Sequence, residues 1–380
     1  MEDCLELAGE DLTNAPSRIN KYIVHGILSR AYLFMAGESV KGGDKKEFYR
    51  LAKEHADAVI KSNKFQLNPD YSQVFINMIS DKYDNEYYES MWEVDFLGNR
   101  ASSESWSNGR IGDQIGLQSS GSSGYTSFLC NYAYGQYDGS LKLWDLYWTD
   151  DRTADEESLP TVTDKRQEWN MPPYNYAGCT NPTLGLSIPA STAQAPYIYA
   201  GKTSFDDPVN AQAIRNCGKW RREVQYESVL DAKRLYTGIN FPILRYSDVL
   251  LMYAEASLEY SGALSQEIYD CVKAIRDRAG IKTKNYSEYD AASFREFLRN
   301  ERGRELCFEG VRKYDLIRWG IFVEAMNGYV EDAVDERWSG SPKASYASAI
   351  GSAVQPKHVV LPVPSVELGV NNKLVQNPLW

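Results

Sequence analysis

The stretch FREFLRNERGRELCFEGVRKYDLIRWG, from Phe294 to Gly320, decides how the rest of the chain is read. Good helix formers dominate it, and only Gly303 and Gly310 interrupt them before Gly320. The pattern predicts one helix of about 25 residues, nearly 40 Å long at about 1.5 Å per residue. Phe294, Leu298, Phe308, Val311, Ile317 and Trp319 supply its apolar surface. Charges alternate in sign at one-turn spacing. Glu301 can meet Arg304, Arg302 can meet Glu305, Glu309 can meet Arg312 or Lys313, and Arg312 can meet Asp315. On a functional reading, Glu301, Glu305 and Glu309 would form a stack of acid/base carboxylates. A catalytic acid needs a raised pKa, however, and an adjacent guanidinium lowers it. The three are read as structural ion pairs.

Working outward, FPILRYSDVLLMYAEASLEYSG (Phe241 to Gly262) is a second helical pattern. Pro242 suits a helix start, and Arg245 and Asp248 stand one turn apart, able to pair. IRDRAGI (Ile275 to Ile281) reads as a helix end, and HVVLPVPSVELGVNNKLVQNPLW (His358 to Trp380) as an extended, proline-bearing tail packing back on the body. The order of residues in ERGRELCFEGVRKYDLIRWG resembles the signature helix of the SusD/RagB family, outer-membrane nutrient-binding lipoproteins of Bacteroidetes. The other three stretches resemble that family's "RYADVLLMYAEA" segment, its "R-x-RAG" helix end and its "QNPG-Y" tail, in the family's order.

The chain has 380 residues with 43% hydrophobic content, enough for a sizeable core. Its net charge of −11, with no basic stripe, argues against a nucleic-acid binder. The 27 tyrosines and nine tryptophans exceed what a core requires, and amphipathic rings favour wet binding surfaces. Cys4, Cys130, Cys179, Cys217, Cys271 and Cys307 have no close spacing, so no zinc or redox site is read. Cys271 and Cys307 fall in helical patterns as core residues, and Cys179 with Cys217 is the one disulfide considered. MEDCLELAGEDLTNAPSR at the N-terminus has neither a basic nor an apolar region, and no apolar run is long enough to span a membrane. Family members carry a secretion signal, an anchoring cysteine and a longer N-terminal region. The resemblance therefore implies a chain truncated at its N-terminus, with its lipid anchor outside it.

In chain order, residues 14–62 read as a helix pair. Asn14 or Ser17 caps the first helix, which carries Ile19, Ile23, Ile27, Ala31 and Phe34 until Gly37. The second runs from about Asp44 to Ser62, with Leu51, His55, Val59 and Ile60 facing inward. His25, His55 and His358 lack partners at ligand spacing and are read as ordinary, partly buried histidines. Ala31 to Gly37 echoes Ala256 to Gly262, and each copy precedes another helix, the later one spanning Ser265 to Ala279. Such hairpins resemble tetratricopeptide repeats, which the family resemblance also implies as scaffold. Residues 63–240 form an irregular, aromatic-rich α+β elaboration with a strand over Glu86 to Phe96. Residues 241–320 return to helices, and 321–380 are loop and tail, including a Ser/Ala/Gly-rich loop from Arg337 to Gln355. The expected fold is mainly α, one SusD-like domain over residues 1–380 built on helix hairpins.

The function expected from the resemblance is a non-catalytic surface protein that binds oligosaccharide for a SusC-like TonB-dependent transporter. A peptide-binding role, as in some relatives, is the runner-up. A glycan hydrolase is third, since no Ser-His-Asp, GxSxG or metal-ligand spacing occurs. Sugars offer C–H faces to aromatic rings and hydroxyls to planar polar groups, so a glycan site wants Trp or Tyr beside Asn, Asp or Arg. Three clusters in the elaboration fit. Trp106 stands near Asn108 and Arg110; Tyr134, Tyr137, Trp144 and Trp148 surround Asp138; Trp169 lies near Asn170, Tyr174 and Asn175. Trp92, Trp220, Trp319 and Trp380 are assigned to packing. No cofactor is expected. The acidic run Asp150, Asp151, Asp155, Glu156 and Glu157 lacks EF-hand spacing, so a solvated loop is favoured over calcium.

Overall fold

The computed structural model describes residues 2–12, 15–96, 109–118, 133–147, 164–172, 174–175, 197–198, 215–222, 237–335 and 342–380. Helices dominate them. In chain order these are α1 (Cys4–Leu7), α2 (Lys21–Ala36), α3 (Lys45–Lys61), α4 (Tyr71–Ile79), α5 (Ile111–Ile115), α6 (Leu141–Leu146) and α7 (Lys165–Asn170). After the elaboration come α8 (Tyr246–Ser261), α9 (Gln266–Ala279), α10 (Ala291–Glu305), α11 (Arg312–Arg318), α12 (Phe322–Asn327), α13 (Tyr329–Asp332), α14 (Pro342–Ala353) and α15 (Ser365–Val370). Four strands accompany them: β1 (Ser90–Val94), β2 (Tyr174–Asn175), β3 (Tyr197–Ile198) and β4 (Phe241–Arg245).

The scaffold is a stack of helices in which α2 packs on α3, α3 on α8, and α8 on both α9 and α10. Side chains start the early helices by accepting orphan N–H groups: Asn20 caps α2, Asp44 caps α3 and Ser265 caps α9. The cap of α2 is thus neither Asn14, outside the described residues, nor Ser17. On α3 the buried stripe is Ala52, Ala56 and Val59, small enough for α2 and α8 to approach closely; Leu51, His55 and Ile60 sit at its margins. Ala254 and Ala256 play the same part on α8, which is buried from Tyr246 to Leu258.

The elaboration leaves and rejoins the scaffold through one antiparallel ribbon, β1 against β4, with Trp92 opposite Leu244 and Val94 opposite Phe241. Phe241 to Arg245 is therefore strand, and Pro242 opens no helix; α8 begins only at Tyr246. The Ser/Ala-rich stretch after Arg337 contains α14, because alanine favours helix and Pro342 suits a first turn. The C-terminal tail folds on itself. Gln376 bonds the backbone of Val363 in both directions, and Trp380 Nε1 donates to the carbonyls of Lys357 and Val360.

The organising stretch is not one helix. It breaks after Glu305, with Phe308 at φ 62° and Gly310 at φ 76°, before α11 begins. The carbonyls freed by the break are taken by side chains from the elaboration and β4. Tyr147 Oη donates to the Arg304 carbonyl (3.1 Å), Trp220 Nε1 to that of Phe308 (3.0 Å), and both Lys219 and Arg245 to that of Glu305 (3.0 Å each). Burial without such partners would cost about 1–3 kcal/mol per group. A helix that continued would lose these long-range bonds.

The ion pairs are likewise long-range. Glu301 does meet Arg304 (2.9 Å), but its shortest contact is with Arg166 (2.5 Å). Arg302 turns from Glu305 to Asp248 (2.8 Å) and Asp315 (2.9 Å). Glu309 binds Lys219 and Arg245 (2.7 Å each) instead of Arg312 or Lys313. Glu305 lies among Arg278 (2.6 Å), Arg245 (3.0 Å) and Arg166 (3.2 Å), and Arg245 pairs with Glu89 rather than Asp248. Asp315, expected to pair with Arg312, is held by Arg302 and Arg318. Burial alone would raise the Glu301 carboxyl, but Arg166, Arg276 and Arg304 outweigh it and hold it at about 2. Glu305, equally buried, is held well below the usual range by Arg278, Arg245, Arg166 and Lys219. These carboxylates stay ionised. They tie the elaboration to the helical stack and are poor proton donors.

Candidate functional site

Of the candidate clusters, the structure gathers Arg110, Tyr134, Tyr137 and Asp138 in one place. The short helix α5 lies beside the segment from Ala133 to Ser140, and the two bond backbone to backbone. Tyr134 N donates to the Asp113 carbonyl (2.7 Å) and Gln136 N to that of Gln114 (2.9 Å). A third segment, Arg215 to Arg222, closes the other side: Gly139 N donates to the Arg215 carbonyl (2.8 Å), and Cys217 N to that of Tyr137 (3.3 Å). Asn216 joins all three. Its Nδ2 donates to Asp138 (2.7 Å) and the Gly135 carbonyl (3.3 Å), while its Oδ1 accepts from Gln118 N (3.1 Å). Gly135, at φ 58°, lets the segment turn close against Gln118, where a Cβ would meet the Gln118 side chain at 2.7 Å.

The result is a fixed turn with its rings outward. Tyr134 is 40% and Tyr137 59% exposed, although large aromatic rings are usually covered. Arg110 is half exposed and held by Asp113 (2.8 Å), itself fully buried, so the guanidinium stands beside the turn with its position set. The two exposed rings, the guanidinium and the Asp138 carboxylate are thus carried by segments whose backbones bond to one another.

The other predicted residues are placed differently. Trp144 is only 3% exposed. The Arg215 guanidinium lies 4.3 Å from its ring centre, and Tyr147 and Met171 share its cluster, so the ring supports the turn rather than facing solvent. Trp169 is half-buried with the Arg221 guanidinium 3.7 Å from its ring. Its neighbour Asn170 is buried, bonding the hydroxyls of Tyr71 and Tyr147 as a core connector. Tyr174 and Asn175 are described only as the backbone of β2, antiparallel to β3. Trp106, Asn108, Trp148 and the acidic run from Asp150 to Glu157 lie outside the described residues, as does Cys179; Cys217 is a free, buried thiol. Trp220 packs as expected, fully buried against Phe75 and Phe241.

Sequence reasoning missed the segment Arg215 to Arg222, although it fixes the turn. The signal was present: Arg215, Lys219, Arg221 and Arg222 concentrate positive charge around Gly218 in an acidic protein. Also missed was a cleft of about 520 Å³ bordered by Asp138 and Ser140 on one edge and the break after α10 on the other. Among the described residues no group of three or more His, Cys, Asp or Glu converges to hold a metal ion. No helix among them is long and apolar enough to cross a membrane.

Comparison with known proteins gives this geometry a context. The model of the SusD family matches residues 88–380. The SusD-like protein P25 of Formosa agariphila is 33% identical over 137 residues, which cover 36% of this chain and 23% of that protein. Among solved structures, a SusD homolog from Bacteroides thetaiotaomicron superposes with a TM-score of 0.79 at 25% identity, covering 99% of this chain and 68% of the homolog. The surface glycan-binding protein A of the same organism, solved in complex with laminarihexaose, shares the fold with a TM-score of 0.63 at 18% identity. That superposition covers 99% of this chain and 68% of that protein.

Proposed function

The chain belongs to the SusD family, and from that premise we propose that it is a non-catalytic cell-surface protein that binds oligosaccharides. The observation that carries the reading is the rigid turn from Ala133 to Ser140, which holds Tyr134 and Tyr137 exposed beside Arg110 and Asp138. Pre-organised rings bind with little ordering cost, and a sugar face stacks on them while its hydroxyls meet the charged groups. A relative of the same fold has been seen holding laminarihexaose, which supports sugar as the ligand class. Trp106, Asn108, Trp148, Trp169 and Tyr174 complete the proposed contact set. We place this surface at the outer membrane, lipid-anchored, delivering its ligand to a SusC-like TonB-dependent transporter. The helix hairpins are read as tetratricopeptide-like.

The electrostatics of the organising stretch support the non-catalytic reading. The carboxylates of the organising stretch are held ionised by arginines, which suits structure and opposes general-acid work. Incubation with laminarihexaose and a xyloglucan oligosaccharide, from acid to neutral pH, is expected to release no reducing ends. Turnover abolished by one carboxylate substitution would overturn the assignment. Tyr134→Ala and Tyr137→Ala test the surface itself. Each removes a stacking ring worth about 1–3 kcal/mol by analogy with aromatic stacking on bases, about tenfold in affinity, without touching the core.

A further inference from the structure

The cleft beside Asp138 and Ser140 has its own chemistry. Its walls are mostly apolar, with Leu143 and Leu146 of α6 facing Leu306, Leu316 and Met326. Its charged lining is Lys142, Arg302, Arg312 and Lys313 against Asp138 and Asp315, a positive excess in a protein of net charge −11. Most of these charges are committed: Arg302 to Asp248 and Asp315, and Lys142 to Asp332 (3.4 Å).

Arg312 is not. Its Nη1 donates to the Arg299 carbonyl (2.8 Å) and its guanidinium lies over Trp319 (5.4 Å), yet no carboxylate among the described residues reaches it within ion-pair distance. Arg299 also flanks Trp319 (5.1 Å). Burial lowers the pKa of Arg312, with Asp315 opposing and the like charges of Arg302 and Arg299 adding to the effect. Gly303 of α10 leaves the space beside it: a Cβ there would stand 2.9 Å from Leu146 and 3.5 Å from Arg312. A half-buried guanidinium between like charges is stabilised by an anion brought from outside.

We infer that this cleft is a second binding site, for a small molecule with one carboxylate on an apolar body. A planar carboxylate matches a guanidinium through two parallel N–H···O bonds. One uncommitted guanidinium, supported only by exposed Lys313 at the edge, balances a monoanion rather than a dianion. The apolar walls and the volume of about 520 Å³ suit a body of metabolite size. The cleft shares Asp138 with the proposed glycan surface but uses neither tyrosine, so Tyr134→Ala and Tyr137→Ala leave it untouched.

The test is titration of the full chain with sodium octanoate and, separately, 1-octanol, followed by calorimetry and by the Met326 methyl resonance. Octanoate is expected to bind at least tenfold more tightly than octanol and to shift Met326. Arg312→Gln should erase that preference. Ala325→Trp, which fills the cleft with Arg312 intact, should abolish the Met326 response and serves if Arg312→Gln does not fold. Octanoate failing to bind, binding no better than octanol, or binding unchanged in either folded variant would overturn the inference.

Discussion

At the scale of single residues, the histidines show what spacing hides. His25 and His55 are 30 positions apart, yet α2 and α3 bring their Nδ1 atoms to 2.9 Å, with Tyr32 stacked on His55 at 5.6 Å. One ring must donate and the other accept, so the pair excludes a second proton. Burial, then the charge of His55 and of Lys21, pushes His25 down to about 4; burial also lowers His55 against the opposing charges of Glu2 and Glu54. An unfolded chain holds both near about 6.5. Below that pH the unfolded state binds more protons, so stability falls as pH drops from about 6.5 towards 4. The melting temperature is expected to decline between about pH 6.5 and 5, above the range where the arginine-held carboxylates titrate. His25→Gln should flatten that decline. Buried Glu93, pushed up to about 7, contributes with the opposite sign in that range, so a His25→Gln curve running parallel to the parent's would rule the pair out as a pH-sensitive contact. His358, treated alike in the sequence, merely accepts from Gln355 N in the tail.

At the scale of elements, the break after α10 and its ion network form the hinge of the account. Glu305→Gln removes the carboxylate that buried Arg166, Arg245 and Arg278 share, and breaking such a pair costs about 3–5 kcal/mol. Denaturant unfolding should show that loss while the ligand affinity of the folded variant stays at the parental value. A stable variant with collapsed affinity would move this helix into the site. The elements that sequence read well have local causes. Asp44 and Ser265 mark the starts of α3 and α9, and α2 and α8 end where read, at Gly37 and Gly262, although both begin later. What it misread has distant causes. Glu305 meets Arg166 across 139 residues, and Phe308, in a left-handed conformation, offers its carbonyl to Trp220. One-turn spacing selected Glu301–Arg304 correctly, but could not foresee that Arg302, Glu309 and Arg245 had better partners from other segments.

At the scale of the molecule, a helical stack carries an elaboration through the β1–β4 ribbon, and the network around Glu305 locks the two together. The family and the helical architecture were legible because their motifs are contiguous. The candidate site was legible only in part. Tyr134, Tyr137 and Asp138 were read as one cluster and Arg110 as part of another beside Trp106, whereas Asn216, which bonds Asp138 and Gln118, shares no local pattern with them. Trp144 was misjudged because sequence cannot tell a ring under an arginine from a ring open to solvent. The measurement that bears most directly on the whole account is calorimetric titration of the parent and a Tyr134→Ala/Tyr137→Ala variant with a glycan panel containing laminarihexaose, alongside a set of peptides. The parent is expected to bind at least one glycan, and the variant, with an unchanged melting temperature, to bind it at least tenfold more weakly. Binding of peptides but no glycan, or a double variant that binds like the parent, would contradict it.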